Sequence, residues 1–271
     1  MKKFCFFLVF IFPLFCFSVR ASAADFSVDS LGVSVRIKGD LVSGDAERLA
    51  SVYLGVKPIA GFYFYPRAIY LDSAGGDVLE AIKMADLIKS LGVSVATPLD
   101  AEGVCASSCF LLYVAAIERA ASGIDTLRLH GGKGYLGPVG IHRPYIQDPS
   151  GGPAAAQRQE QVMAEMRAYL SKANVGGLLI DKMMSHASND IYWLTEEDLR
   201  ALGTFSPGVE EQVISRCGYS ARKEASMSAR EYIKSSESGM ISCVRNYVSQ
   251  TYVPLLETAI NRMRKGWRPW R

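Results

Sequence analysis

The chain has 271 residues and a formal net charge of +3. Three cations, Lys2, Lys3 and Arg20, lie in the first 23 residues, which contain no acid, so the remaining 248 residues (271 − 23) carry a formal charge of 0 (3 − 3). A neutral chain gives nucleic-acid binding no overall electrostatic support, and we expect no such partner. A length of 248 residues suffices for one large α/β domain with a full core.

The first 23 residues have the pattern of a secretory signal peptide. Lys2 and Lys3 precede an apolar run at 4–17, and Ala-Ser-Ala at 21–23 is a small-x-small cleavage site. The run is about 14 residues long, short of the ~20 that a spanning helix needs. We therefore expect cleavage near Ala23 and a periplasmic or secreted protein.

Alternating strands and helices are predicted along the first half of the mature chain. They are a β-hairpin or edge strand at 26–41, a helix at 43–54 with Ser43 as N-cap, a strand at 68–71, a helix at 78–91 ended by Gly92, a strand at 93–97, a helix at 107–116, and short strands at 127–129 and 139–141. Short crossovers of this kind predict an α/β fold with a mostly parallel sheet covered by helices.

The second half reads as helical. Helices are predicted at 154–173, 175–186 and 195–202, the last with Thr195 as N-cap and Asp198 where a capping box usually has Glu or Gln. A helical extension follows at 205–271 and ends in a basic-aromatic tail at 262–271. We therefore divide the chain into a signal peptide at 1–23, one α/β domain at 24–204 and the extension at 205–271.

Four cysteines remain after cleavage, which in an exported chain indicates disulfides with three possible pairings. We favour Cys217–Cys243, which closes a hairpin of helices. Cys105 and Cys109 can pair locally, or each can be a small buried residue. Thiolates in an oxidising compartment tend to oxidise, and no His-rich cluster is present, so we predict no metal site.

Three short segments carry the chemistry, Asp72-Ser-Ala-Gly-Gly-Asp77, Cys105-Ala-Ser-Ser-Cys109 and Gly140-Ile-His-Arg-Pro144. The glycine pair lies between a strand and a helix N-terminus, where backbone N–H groups can bind an oxyanion or a phosphate. Ser107 opens an apolar helix and is a candidate nucleophile, with the amide of Ser108 as a second oxyanion donor. The two serines can also serve only as helix caps.

His142 is the best candidate for a general base, because it follows an apolar strand. His130 lies in a predicted loop and His186 at a helix end, where a cation suits the helix dipole without catalysis. Asp190 is the candidate acid that orients the imidazole, in a loop beside aromatic residues that can shield it. Each of these residues taken alone can equally be structural.

Residues 66–204 resemble the proteolytic subunit of Clp protease, within the crotonase-like superfamily. Ser-Ala-Gly-Gly at 73–76 is similar to that family's Ser-Pro-Gly-Gly turn, Ala-Ser-Ser at 106–108 to its nucleophile segment, and Ile-His-Arg-Pro at 141–144 to its Ile-His-Gln-Pro. The segment 189–203, with Asn-Asp-Ile-Tyr, Thr-Glu-Glu and a glycine, resembles its acid-bearing segment. Ala74 in place of the family proline and the long extension are departures.

The resemblance implies a crotonase-like β-α spiral in which residues 154–173 form a handle helix for homo-oligomer assembly. It implies Ser107 as nucleophile, His142 as base, Asp190 as orienting acid, and the amides of Gly76 and Ser108 as oxyanion hole, with no cofactor. The secretory leader is wrong for the cytosolic enzyme, whose unfoldase partners need ATP. We therefore expect an exported, Clp-like bacterial serine peptidase that acts on short or unfolded peptides.

Other functions stay open. A Ser/Lys enzyme of the signal-peptide-peptidase kind would use Lys133 as base, and acyl-CoA chemistry of the crotonase kind is disfavoured by export. A non-catalytic binding or assembly module is the alternative of a different class, with the tail at 262–271 docking a partner or an anionic membrane surface. That tail can also be a solvated end.

Overall fold

The computed structural model describes residues 23–57, 65–97, 103–120, 139–146, 152–187, 189–219, 228, 230–231, 234 and 239–271. Four predictions lie outside the described residues: the signal peptide up to residue 22, the strand at 127–129, His130 and Lys133.

Eight strands and eight helices are formed by the described residues. The strands are β1 Asp25–Val28, β2 Ser34–Lys38, β3 Ala68–Asp72, β4 Ser94–Ala96, β5 Cys105–Ala106, β6 Glu118–Ala120, β7 Val139–Ile141 and β8 Tyr192–Trp193. The helices are α1 Asp45–Leu54, α2 Val78–Leu91, α3 Cys109–Ala115, α4 Pro153–Lys172, α5 Gly177–Ser185, α6 Glu196–Leu202, α7 Pro207–Cys217 and α8 Met240–Arg264.

The strands form two small sheets, which confirms the predicted α/β fold with mostly parallel pairing. The five-stranded sheet has the order β1-β2-β3-β4-β6, and only the β1–β2 pair is antiparallel. In the three-stranded sheet β5-β7-β8, β5 and β7 are parallel and β8 is antiparallel to β7. A parallel bridge from Ser73 to Cys105 joins the two sheets.

This topology brings the segments that follow β3, β5 and β7 to the same edge of the two sheets. β3, β5 and β7 run in the same direction, so their carboxyl ends lie side by side. Residues 73–77 follow β3, Ser107 follows β5 and His142 follows β7. Ligand sites of open α/β sheets lie at carboxyl ends of this kind.

Two predicted helix starts are wrong. α1 begins at Asp45 after Gly44, whose φ of 96° is left-handed, and the Asp45 carboxylate accepts a hydrogen bond from the Val42 N–H at 2.9 Å. Ser43 therefore does not cap this helix. α3 begins at Cys109 instead of residue 107, because Cys105–Ala106 pairs with β7 and the two serines form the turn between strand and helix.

The end of the α/β region follows the predicted capping pattern. Thr195 caps α6 by accepting the N–H of Asp198, and the Asp198 carboxylate accepts the N–H of Thr195, so aspartate completes this capping box. Asp198 also accepts hydrogen bonds from Lys182 and Tyr192. These bonds hold the pKa of Asp198 below its ordinary value although partial burial acts to raise it. Together the contacts fix β8 to α5 and α6.

The C-terminal extension packs onto the α/β core. Four residues of α8 belong to the main buried cluster: Leu256, Ala259, Ile260 and Met263. The Cys217–Cys243 disulfide, which confirms the favoured pairing, joins the end of α7 to the first turn of α8. None of the described helices is both long enough and apolar enough to cross a membrane.

The basic-aromatic tail lies against its own chain and is not a frayed end. Trp267 and Trp270 pack against the main core, and the Trp270 indole N–H donates to a Glu47 carboxylate oxygen at 3.2 Å. The Arg262 guanidinium stacks 4.1 Å from the centre of the Trp267 ring. Contact of this tail with a partner or a membrane stays a prediction.

The packing of α8 predicts that the extension stabilises the whole domain. Ile260 has no exposed surface, so Ile260→Ala is expected to lower the free energy of unfolding by about 2–5 kcal/mol. Leu255 in the same helix is 48% exposed, and Leu255→Ala is expected to change it by less than about 0.5 kcal/mol. Urea denaturation measures both, and equal effects of the two substitutions would contradict this packing.

Candidate functional site

Ser107 has an unusual backbone conformation. Its φ of 56° is left-handed, which residues other than glycine rarely adopt. The Ser107 N–H donates to the Gly140 carbonyl at 2.9 Å, and the Ser107 carbonyl accepts the N–H of Phe110 at 3.0 Å. Its side chain is partly exposed and lines a cleft of about 780 Å³. A strained residue in a cleft is typical of a functional position.

The glycine pair is required by close approaches on both sides of the turn. A Cβ on Gly75, whose φ is 110°, would lie 2.6 Å from Cβ and 3.1 Å from Oγ of Ser107. A Cβ on Gly76, whose φ is 142°, would lie 2.1 Å from the carbonyl oxygen of Leu41. No side chain fits at either position, so the turn after β3 can touch the serine turn directly.

Hydrogen bonds around this turn occupy the amides on both sides of Gly76 and leave its own amide without an acceptor among the described residues. The Gly75 N–H donates to the Ser73 hydroxyl at 3.1 Å, and the Asp77 N–H donates to the Leu41 carbonyl at 2.8 Å. Within the described chain the Gly76 N–H has no acceptor, and Gly76 lines the cleft. Gly76 therefore suits an oxyanion donor better than its neighbours do.

Ser108 differs from Ser107 in its burial and its hydrogen bonds. Its side chain is fully buried, and its hydroxyl donates to the Gly76 carbonyl at 3.1 Å. This bond ties the serine turn to the glycine turn. The Ser108 N–H has no acceptor among the described residues. Of the two residues predicted to form the oxyanion hole, Gly76 lines the cleft and Ser108 does not, so the role of the Ser108 amide stays a prediction.

His142 is 4% exposed, and its ring orientation is set by the backbone. Its Nδ1 lies 2.8 Å from the carbonyl oxygen of Arg143. Because a carbonyl only accepts, Nδ1 carries the proton of the neutral ring, and Nε2 keeps a lone pair. His142 lines the same cleft as Ser107. No hydrogen bond joins the side chains of Ser107 and His142 among the described residues.

Asp190 is not brought to the imidazole in this structure. It is exposed, its N–H donates to the Ala187 carbonyl at 3.0 Å, and it does not line the cleft, although Ile191 does. The expected shielding by aromatic neighbours is wrong, because the Tyr192 hydroxyl points to Asp198 and donates to it at 2.8 Å. Its role as orienting acid stays a prediction from the resemblance.

The cleft has two further walls that sequence reasoning missed. Residues 40–42 line one side, where the Leu41 N–H donates to the Gly75 carbonyl at 2.7 Å. α4 lines the other through Arg158, Gln161 and Val162. Gln159 accepts the N–H of Ile146 at 2.6 Å and donates to the Pro144 carbonyl, which fixes the segment after His142. These contacts span the chain and have no local sequence signal.

Three other predicted residues, Cys105, Cys109 and His186, have structural surroundings. Cys105 and Cys109 form a disulfide, which confirms that they pair locally, and both are fully buried. His186 at the end of α5 places Nδ1 2.8 Å from the Lys182 carbonyl, outside the cleft. The described residues include no group of three His, Cys, Asp or Glu side chains that could hold a metal ion.

Comparison with known proteins gives a likeness in fold. No protein-family model matches the sequence, and no curated protein matches it. The α/β structure is similar to that of a ClpP1 mutant from Listeria monocytogenes, with a TM-score of 0.42, 18% sequence identity, 64% of this chain covered and 88% of that chain covered. At this level of similarity the likeness assigns no role to any residue here.

The hydrogen bond of His142 predicts that its tautomer does not depend on Asp190. We expect the ¹⁵N chemical shifts of His142 in the neutral ring to show a protonated Nδ1 and an unprotonated Nε2, unchanged in Asp190→Asn. His142→Gln assigns the signals, and His186, whose Nδ1 also faces a carbonyl, is the internal reference. A change of tautomer in Asp190→Asn would show that Asp190 reaches the imidazole.

Proposed function

We propose that this protein is an exported serine hydrolase, specifically a peptidase, with Ser107 as nucleophile and His142 as general base. The observation that carries the proposal is the left-handed Ser107, which shares one cleft with a buried histidine and a side-chain-free glycine turn. Nucleophiles of acyl-transfer enzymes need this combination of an exposed hydroxyl, a nearby base and preorganised amides.

The chemistry follows from the positions of the protons. Ser107 Oγ attacks a peptide carbonyl carbon while His142 Nε2, which carries a lone pair, takes the hydroxyl proton. The oxyanion accepts hydrogen bonds from the Gly76 and Ser108 amides. Nε2 then gives its proton to the leaving amine as the C–N bond breaks, and water releases the acyl group by the same steps.

In this proposal the Arg143 carbonyl orients the imidazole, because its oxygen accepts the hydrogen bond of Nδ1–H, with 2.8 Å between the oxygen and Nδ1. A carbonyl fixes the tautomer as a triad acid does, but it stabilises the imidazolium less because it carries no full charge. We therefore propose a Ser-His pair at the centre of the site. Asp190 joins it only if the 189–191 segment moves towards His142.

Peptides are the proposed substrates. The cleft is open, and its lining mixes apolar residues such as Val162 and Ile146 with charged ones such as Asp40 and Arg158. Short or unfolded peptides suit such a cleft, and they match the expected export because no ATP-driven unfoldase works there. Export, peptide specificity and assembly through α4 rest on the sequence patterns and the resemblance.

A binding or assembly module without turnover is the second candidate. The exposed position of Asp190 favours it, because a triad lacking its acid is expected after loss of catalysis. In this case the strained turn at Ser107 would be retained for folding alone. Reactivity of the serine separates the two candidates.

The test is labelling of the exported protein with a fluorophosphonate. We expect wild type to label, Ser107→Ala to lose labelling completely, and His142→Ala to label at least about 100-fold more slowly, since a general base contributes roughly 10²–10⁴-fold. Ser185→Ala is the matched control, because Ser185 is exposed at the end of α5 and outside the cleft. Circular dichroism confirms that each variant is folded. A folded wild type that does not label would refute the hydrolase and favour the binding module.

A further inference from the structure

The Cys105–Cys109 disulfide encloses the serine turn. Cys105 is the first residue of β5 and Cys109 the first residue of α3, with their Cα atoms 5.3 Å apart. Ser107 lies midway between them in sequence. Both cysteines are fully buried, so the bond lies beneath the serine and not on the surface.

Ser107 needs an external constraint to keep its conformation. A left-handed φ costs an L-residue free energy relative to the ordinary regions, so an unrestrained serine relaxes towards negative φ. Relaxation rotates the peptide planes on both sides of Ser107, and these carry its side chain and the Ser108 N–H. The hydroxyl and the second oxyanion donor would leave their positions together.

Noncovalent contacts also restrain the turn, among them the hydrogen bonds from the Phe110 N–H to the Ser107 carbonyl and from the Ala106 N–H to the Ser73 carbonyl, both at 3.0 Å. The Ser107 N–H donates to Gly140, the Ser108 hydroxyl donates to Gly76, and Gly75 leaves room for Ser107 by having no side chain. None of these contacts joins the two ends of the turn, Cys105 and Cys109, to each other. The disulfide is the one covalent link among the described residues that holds those ends together.

We propose that the Cys105–Cys109 disulfide is the positioning element of Ser107, so that the serine is fully reactive only when this bond is closed. The inference rests on the proposed function. Closure transfers two electrons from the two thiols to the disulfide of a thiol–disulfide oxidant, which leaves as a dithiol, with the two thiol protons passing to the oxidant's sulfurs. The serine is then less reactive while the two thiols are reduced, and it reaches full reactivity in the oxidising compartment that the predicted leader indicates.

The second disulfide provides a matched control. Cys217 and Cys243 are half-buried, join α7 to α8, and do not line the cleft. Cys217→Ala/Cys243→Ala therefore removes one disulfide from the same chain without touching the serine turn. Cys105→Ala/Cys109→Ala removes the other and fills the buried sites with small apolar side chains.

The experiment compares both double variants with wild type by fluorophosphonate labelling. Two quantities are measured for each protein: the labelling rate at saturating probe, and the probe concentration that gives half of that rate. For Cys105→Ala/Cys109→Ala we expect the maximal rate to fall at least about tenfold, with the half-saturating concentration unchanged and the melting temperature close to that of the control. For Cys217→Ala/Cys243→Ala we expect the wild-type rate. Equal rates in the two variants would overturn the inference.

Hydrogen exchange of residues 103–110 gives a readout that does not depend on reactivity. We expect faster exchange in this segment for Cys105→Ala/Cys109→Ala alone, and unchanged protection would overturn the inference even if wild type labels. If wild type does not label while the exchange of 103–110 responds to the bond, the proposed function fails and the role of the disulfide in holding the turn stands. An absence of both effects would refute both.

Discussion

The site depends on the contact between two turns, one after β3 and one after β5. Ser107 packs directly against Gly75. A Cβ added to Gly75 would lie 2.6 Å from the Cβ of Ser107, so no side chain fits there. The Ser108 hydroxyl ties the turns together through the Gly76 carbonyl. Because the glycine turn also pairs with residue 41 through close backbone contacts, the position of Ser107 is set by packing from three separate parts of the chain. Together with the Cys105–Cys109 disulfide, this surrounding structure restrains its left-handed conformation.

The rest of the fold holds the two turns in place. Parallel pairing of β3, β5 and β7 places the glycine turn, Ser107 and His142 at neighbouring carboxyl ends. β8 pairs antiparallel with β7 at Gly140. A Cβ added to Gly140 would lie 2.6 Å from the side chain of Ile191 and 2.7 Å from that of Trp193. Gly140 in turn accepts the N–H of Ser107. Close packing therefore runs from β8 through β7 to the serine.

Local signals in the sequence predicted the parts of the fold that local chemistry decides. α2 was predicted with its observed bounds because apolar residues recur along it at helical spacing and Gly92, in a left-handed conformation, ends it; the structure adds Asp77 as its N-cap. β6 was missed because Glu118 and Arg119 are polar; Arg119 is buried and donates to the Leu202 carbonyl at 2.7 Å. For the site, residue types and order predicted that Ser107, His142 and the glycine pair meet in one cleft. The wall at 40–42 and the exposure of Asp190 depend on long-range packing, which residue type alone does not encode.

The most direct test of this account is to locate the fluorophosphonate adduct by tandem mass spectrometry of the peptide that carries both serines of the turn. Ser107 is partly exposed in the cleft, whereas Ser108 is fully buried with its hydroxyl bound to Gly76. The account predicts that the phosphonate mass is found on Ser107 alone. An adduct on Ser108, or on a serine outside this turn, would contradict it.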